Sequence, residues 1–368
     1  MRSYRPRALW KVIVGDILLG ALALGLVAFF QLGLPILRAK TRTPAREPAQ
    51  TPLPAVSAAP AAETAAPAPE APPAEADPAE PAQPTQPEQE QAEPTPEPTP
   101  DPRTEWQIRF AEQFTDQMVI TENSYTSPQV SIHIETREFG EGENKSVYHV
   151  ADIYVASLDN FRTYTANNEL AYWSTQDAME MDADSHAILS ISGDFYSYQP
   201  RGFLVRNGVL YMDDQTQCDL CVLYNSGVMA CYGRDDYTVE DIWSRGVAQA
   251  WNFGPSLLDE NGKAYPSYDV SLAVSYPNPR SAVGYYEPGH YCFVIVDGRQ
   301  DGYSKGMTVP ELAKIFEDLG CTCAYNLDGG GSALMTFLHQ RYSRQSNGAG
   351  RELGDTLIIT EEGWEEKR

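Results

Sequence analysis

The chain has 368 residues with 51 acidic against 27 basic side chains, a formal net charge of −24. An acidic balance of that size repels phosphate polymers, and the one basic cluster sits at the extreme N-terminus, so nucleic acid is excluded as a partner. Between residues 43 and 103 there is no glycine, aromatic or cysteine, so any enzymatic chemistry belongs to residues 104–368, a length that can bury a substantial core.

Residues 1–16 read as a cytoplasmic N-terminus ahead of an uncharged apolar run, 17–37, in which Gln31 is the one polar side chain. As a helix this run would extend ~32 Å, against ~30 Å for a bilayer's hydrocarbon core. A cleaved signal peptide has a shorter apolar region of ~7–15 residues and a small-residue cleavage site. Here the run ends in Arg38-Ala39-Lys40, which favours an uncleaved transmembrane helix. Arg2, Arg5, Arg7 and Lys11 on one side balance Arg38, Lys40, Arg42 and Arg46 on the other, so charge sets no orientation. Residues 38–103 are a Pro/Ala/Glu-rich linker that cannot bury a core and tends to polyproline II, expected to be disordered. Such a stalk, followed by a domain with an even number of cysteines, suits an exported domain. The expected location is therefore a single-pass protein of the cell membrane with its C-terminal domain extracellular.

From residue 104 the aromatics return. Residues 150–156, 187–191 and 202–206 read as strands, and Asn207-Gly208 is a hairpin turn leading into 209–211. Trp251 to Leu258 is a strand broken at Gly254-Pro255. The apolar run 291–296 reads as a strand buried on both faces. Thr308-Val-Pro-Glu311 is a capping box, followed by Leu312, Ile315, Phe316 and Leu319 at helical spacing and by Gly320 as a stop. Residues 321–325 form the next strand. Strand, helix, strand implies a right-handed crossover between parallel strands, which brings Asp297 and Asp328 to one carboxyl edge, where open sheets place ligands. The expected fold is α/β in the mixed α+β sense, a largely buried mixed sheet with flanking helices. Residues 185–362 are its main domain, and 104–184 an N-terminal part expected as a separate β-rich lobe.

Asp328-Gly-Gly-Gly-Ser332 is the sharpest chemical signal. Three glycines after a strand permit positive φ and close ligand approach, and their N–H groups can form an anion nest, although a bare glycine triplet is more often a tight turn. Arg280 opens another strand and has the planar fork that phosphate recognition favours. Asp194 is a third acid at a strand end. Arg351 and Asp355 read as a structural ion pair. The six cysteines are expected as disulfides or buried thiols rather than zinc ligands. No nucleophile elbow, zincin or P-loop motif occurs. No cofactor or metal is expected.

The ordered series Ser192-Gly-Asp-Phe-Tyr196, Phe253-Gly-Pro-Ser-Leu257, Pro279-Arg-Ser-Ala-Val-Gly284, Val296-Asp-Gly-Arg299, Gly306-Met-Thr-Val-Pro-Glu-Leu-Ala313 and Asn326-Leu-Asp-Gly-Gly-Gly-Ser332 resembles the phosphodiester glycosidase family over about residues 185–360. The resemblance implies a hydrolase that cleaves the glycosidic C–O bond of a sugar-1-phosphodiester in a glycan or wall polymer. It departs at Ser192, where the family usually carries asparagine. Asp328, Asp297 and Asp194 are the candidate catalytic carboxylates, Arg280 and the Gly329, Gly330, Gly331, Ser332 loop the phosphate holders, and Asn326 the ligand of a sugar hydroxyl. Two other readings stay open: a non-catalytic module that binds anionic glycans, and a metal-dependent phosphodiesterase acting at phosphorus.

Overall fold

The computed structural model describes residues 101–215, 218–346 and 350–368. The expected transmembrane helix and nearly all of the linker lie outside the described residues. Among the described residues no helix is long and apolar enough to cross a membrane.

Among the described residues seventeen strands, numbered in chain order, make three sheets. The first four are β1 (Val119–Ile120), β2 (Ser124–Thr126), β3 (Val130–Phe139) and β4 (Ser146–Val155). They are followed by β5 (Phe161–Thr165), β6 (Leu189–Ser192), β7 (Phe203–Arg206), β8 (Val209–Asp213), β9 (Leu220–Tyr224), β10 (Met229–Tyr232) and β11 (Val247–Trp251). The last six are β12 (Arg280–Glu287), β13 (His290–Val296), β14 (Cys323–Leu327), β15 (Met335–Phe337), β16 (Gln340–Arg341) and β17 (Asp355–Ile359). The seven-stranded sheet runs β1-β2-β3-β4-β13-β12-β14, and the five-stranded ones β10-β9-β11-β7-β8 and β16-β15-β6-β17-β5.

Strand periodicity explains how the large sheet is buried on both faces. Along β13, Tyr291, Phe293 and Ile295 join the core shared with the two smaller sheets, including Phe161, Ile191 and Trp251. The alternate residues Cys292, Val294 and Val296 face the helix Val309–Leu319, through Leu312 and Phe316. That helix starts at the predicted capping box and ends at Gly320 in the left-handed region (φ 79°). It lies so close that a Cβ on Gly284 of β12 would stand 2.7 Å from the Phe316 ring. The Asn207-Gly208 turn also forms as read, with φ of 50° and 79°.

Two expectations are corrected. The sheet is not mixed: among the described residues each strand pairing is antiparallel. β13 and β14 are parallel to each other, as the crossover requires, but β12 lies between them and runs against both. The hairpin into β13 places β12 first, and the helix then carries the chain across it. Residues 119–165 also form no separate lobe. β4 hydrogen-bonds β13 from Tyr154↔His290 to Tyr148↔Val296, and β5 pairs with β17, so this segment completes the sheets of the downstream domain.

The consequence for function lies at one edge. Register pairs Ser281 with Leu327 and Thr356 with Ser192, so the ends of β14 and β6 and the start of β12 converge there.

Candidate active site

The converging strand ends are clamped together before any side chain is considered. The Asp328 N–H donates to the Gly193 carbonyl (2.9 Å), and the Ser192 hydroxyl donates to the Asp328 carbonyl (2.9 Å). Gly193 is required by close approach, since a Cβ there would be 2.3 Å from a carboxylate oxygen of Asp355. The Gly330 N–H donates to the Pro279 carbonyl (2.8 Å), and a Cβ on Gly329 would lie 2.6 Å from that same oxygen. The glycine loop is thus pressed against the start of β12.

Above this floor opens a cleft of about 590 Å³, a size suited to a small ligand. Five arginines line it (Arg201, Arg234, Arg280, Arg299 and Arg351) beside the aspartates Asp194, Asp219, Asp269 and Asp328. In a chain of net charge −24 this is a local concentration of cations.

Asp328 is 6% exposed and bonded to Arg351, whose Nη2 donates to Oδ2 at 2.6 Å. The same guanidinium donates to the Ser332 hydroxyl from Nε (2.9 Å) and Nη2 (2.6 Å), and lies over the rings of Phe195 (5.0 Å) and Tyr198 (5.5 Å). Burial raises the Asp328 carboxyl to about 6 in spite of Arg351, and the nearby Asp194 adds to the rise. A carboxyl at that value changes charge near neutrality, which is where a general base is useful.

Asp194 sits in a buried charged cluster. Its oxygens accept the N–H groups of Phe195 (2.8 Å) and Asn252 (2.8 Å), and Arg206 Nη2 at 3.3 Å. Arg206 is 1% exposed and donates from Nε to Asp355 (2.7 Å), so one guanidinium holds two carboxylates. Asp355 in turn accepts the Asp194 N–H at 2.6 Å. Burial pushes the Asp355 carboxyl up against the opposing pull of Arg206. Such an arrangement fixes Asp194 as an immobile negative charge on the cleft wall.

The sequence-derived candidates divide. Asp328, Asp194, Arg280, Gly329, Gly330 and Gly331 line the cleft. Arg280 is largely committed: Nε donates to the Met307 carbonyl, and Nη2 to those of Val274 and Tyr276. Burial, then the neighbouring Arg299, lowers it to about 10. The nest is thinner than expected, because the N–H groups of Asp328, Gly330 and Ser332 go to the carbonyls of Gly193, Pro279 and Gly329. Ser332 lies beneath the loop as the acceptor for Arg351. Asn326 is fully buried and does not reach the cleft; its Nδ2 donates to the Gly254 carbonyl (2.7 Å), bracing the Gly254-Pro255 loop. Asp297 reaches the shared sheet edge, but its side chain turns away. It accepts from Tyr303 (2.9 Å) and from the Arg344 N–H (2.9 Å), and stands 3.2 Å from His149 Nε2. The pair expected between Asp328 and Asp297 is therefore not formed in the cleft, and Asp194 is the acid that shares it with Asp328.

The Arg351–Asp355 ion pair is corrected: Arg351 bonds Asp328, and Asp355 bonds Arg206. Nothing local in the sequence marks Arg206, a strand residue before a turn, although its place in the continuously buried β7 is a signal that it needs acids. Among the described residues Cys231 Sγ stands 2.7 Å from Cys323 Sγ and Cys292 Sγ 3.6 Å from Cys321 Sγ, neither at disulfide bonding distance. Among the described residues no group of three or more His, Cys, Asp or Glu side chains is placed to hold a metal ion.

Fold and cleft together define an antiparallel α+β protein whose strand ends present an arginine-lined cleft beside buried carboxylates. The family model of phosphodiester glycosidase, a family of hydrolases, matches residues 185–360 of this chain. The catalytic domain of zebrafish N-acetylglucosamine-1-phosphodiester α-N-acetylglucosaminidase, in a form auto-inhibited by its pro-peptide, has a similar fold. It aligns with a TM-score of 0.54 at 19% identity, covering 67% of this chain and 88% of that one. A hypothetical protein from Synechocystis aligns at 0.47 and 14% identity, covering 63% of this chain and 62% of the other. An uncharacterized SPbeta prophage-derived protein of Bacillus subtilis (strain 168), YomE, is 29% identical over 163 residues, or 43% of this chain. The match spans only 25% of that relative's length.

Proposed function

We propose that this protein hydrolyses the glycosidic C–O bond of a sugar-1-phosphodiester in a glycan or wall polymer. The observation that carries the reading is the Asp328–Arg351 pair, a buried carboxyl raised to about 6 and set in an arginine-lined cleft. Arg351 and Arg299 neutralise the phosphodiester, with Arg280 adding buried positive charge behind them. Water attacks the anomeric carbon, Asp328 accepts a proton from that water, and the bond from the anomeric carbon to oxygen breaks. The electron pair leaves with the phosphomonoester. A phosphate leaving group is already a weak base, so charge stabilisation matters more than a strong acid. Asp194, fixed by Arg206, faces the positive charge that develops on the sugar.

The proposal extends to location. Helix 17–37 would anchor the chain and the linker 38–103 would carry the domain outside the membrane, within reach of surface polymers. Hydrolysis in water enriched in heavy oxygen tests the chemistry. The label enters the sugar if the C–O bond breaks. Label in the phosphate would mean attack at phosphorus, and an absence of product with retained ligand binding would mean a binding module.

A further inference from the structure

The loop before the matched family segment carries two neighbouring aromatics that face solvent, Tyr172 (53% exposed) and Trp173 (61% exposed). Their ring centroids are 4.9 Å apart. Trp173 meets Tyr198 edge to face at 5.7 Å, and Tyr198 stacks on Phe195 at 4.9 Å and 22°. Phe195 is a wall of the cleft and touches Phe253, another wall residue, at 6.2 Å. A continuous aromatic path therefore runs from beside Arg351 to the outer surface.

The loop is held in place rather than trailing. The Trp173 N–H donates to the Ser197 carbonyl (3.0 Å), and Gln176 exchanges main-chain bonds with Leu353, two residues from Arg351. Thr175 donates to the Glu352 carboxylate (2.6 Å), and the Tyr198 hydroxyl to the Glu352 carbonyl (3.2 Å). Trp173 keeps a φ of 65°, unfavourable for a bulky residue, so the surrounding bonds over-determine its position. Large exposed aromatics fixed beside a cleft mark a ligand surface, since leaving them in water has a standing cost.

We propose that Tyr172 and Trp173 form a stacking platform for sugar rings of a glycan chain whose phosphodiester occupies the cleft. The proposal rests on the hydrolytic reading above and deepens it, naming the surface outside the cleft that would hold the substrate's sugar chain. A pyranose has an apolar C–H face that packs on an aromatic ring and a polar rim of hydroxyls. Here the exposed Glu352 carboxylate, held by Thr175 of the same loop, supplies a polar partner that suits that rim better than a lipid chain. The platform lies outside the segment that matches the family, so it would be this chain's own specificity element.

The test uses the full chain with Trp173→Ala, Tyr172→Ala and the conservative Trp173→Phe. Two substrates are compared: an N-acetylglucosamine-1-phosphodiester with a methyl aglycone, and the same linkage borne on an oligosaccharide of at least four sugars. The parent should show a KM roughly tenfold lower for the long substrate, an advantage that Trp173→Ala abolishes at similar kcat and Trp173→Phe largely keeps. Equal KM values for both substrates in the parent would overturn the platform. Binding is read separately, by tryptophan fluorescence and calorimetry with phosphate-free tetramers of N-acetylglucosamine, glucose and mannose. If the parent cleaves neither substrate, the hydrolytic reading fails, and these titrations still decide the platform. Binding by the parent and not by Trp173→Ala supports it, and binding of none of the three sinks it. A change of oligomeric state in Trp173→Ala by light scattering would show a self-association surface instead and overturn the proposal.

Discussion

Asp328→Asn separates catalysis from stability in opposite directions. Burial has raised this carboxyl from an ordinary 3.8 to about 6, a shift that already includes the attraction of Arg351. A displacement of that size means the ionised form costs the folded state roughly 3 kcal/mol. The folded protein binds the proton more tightly than the unfolded chain does. The stability tied to this group is therefore complete below about pH 4 and lost as pH rises through about 6. Asparagine has nearly the same shape and no charge, so it removes the cost. At pH 7.5 the variant should be more stable than the parent by about 1–3 kcal/mol, with the difference closing toward pH 4. Arg351, whose side chain is 40% exposed, can be solvated in place of its lost partner. Turnover should fall by roughly 10²–10³-fold with ligand affinity retained, because the group that accepts the proton is gone. Urea unfolding at pH 7.5 and pH 4.5, beside a product assay, measures both. A variant that is less stable at pH 7.5, or that keeps rates within a few-fold, would refute the reasoning and make Asp328 a structural anchor.

The same carboxylate sets the pH dependence: kcat/KM should rise as pH increases through about 6, and Arg351→Gln should move that limb upward, because Arg351 holds the Asp328 carboxyl down. A profile flat from pH 5 to 8 contradicts this. Arg351→Lys should raise KM by roughly tenfold or more, since an ammonium cannot bond Asp328 and Ser332 while lying flat over Phe195 and Tyr198. Steady-state kinetics against the Ser332→Ala variant, expected to be milder, tests the ranking. Arg206→Leu leaves Asp194 and Asp355 buried without their cation, and denaturant midpoints should show a loss of about 3–5 kcal/mol. Gly329→Ala should depress turnover while the domain stays folded, because the added Cβ would meet the Pro279 carbonyl oxygen at 2.6 Å and push the loop into the cleft. Unchanged kinetics would show that the loop yields freely.

The elements that local chemistry specifies were legible in the chain. The capping box at Thr308, the stop at Gly320, the Asn207-Gly208 turn and the two-sided burial of β13 each follow from neighbours a few residues away. The glycine loop after β14, and the placement of Asp328, Asp194 and Arg280 along one cleft, followed from strand ends read in order. What the sequence could not give was which charge meets which. Asp297 and Asp328 occupy one sheet edge, yet the strand period and the loop at Arg344 turn the Asp297 side chain away from the cleft. Arg351 and Asp355 are four residues apart, but Gly193 lets the Asp194 loop pack on Asp355 while Arg351 swings over Phe195 to Asp328. Sheet membership was equally hidden. Residues 119–165 have strand pattern enough, but pairing them with β13 and β17 depends on hydrogen bonds across more than a hundred residues. Local propensity is written in consecutive residues and so can be read from them. The partners of a buried charge or an edge strand are chosen by long-range packing, which only the tertiary structure decides.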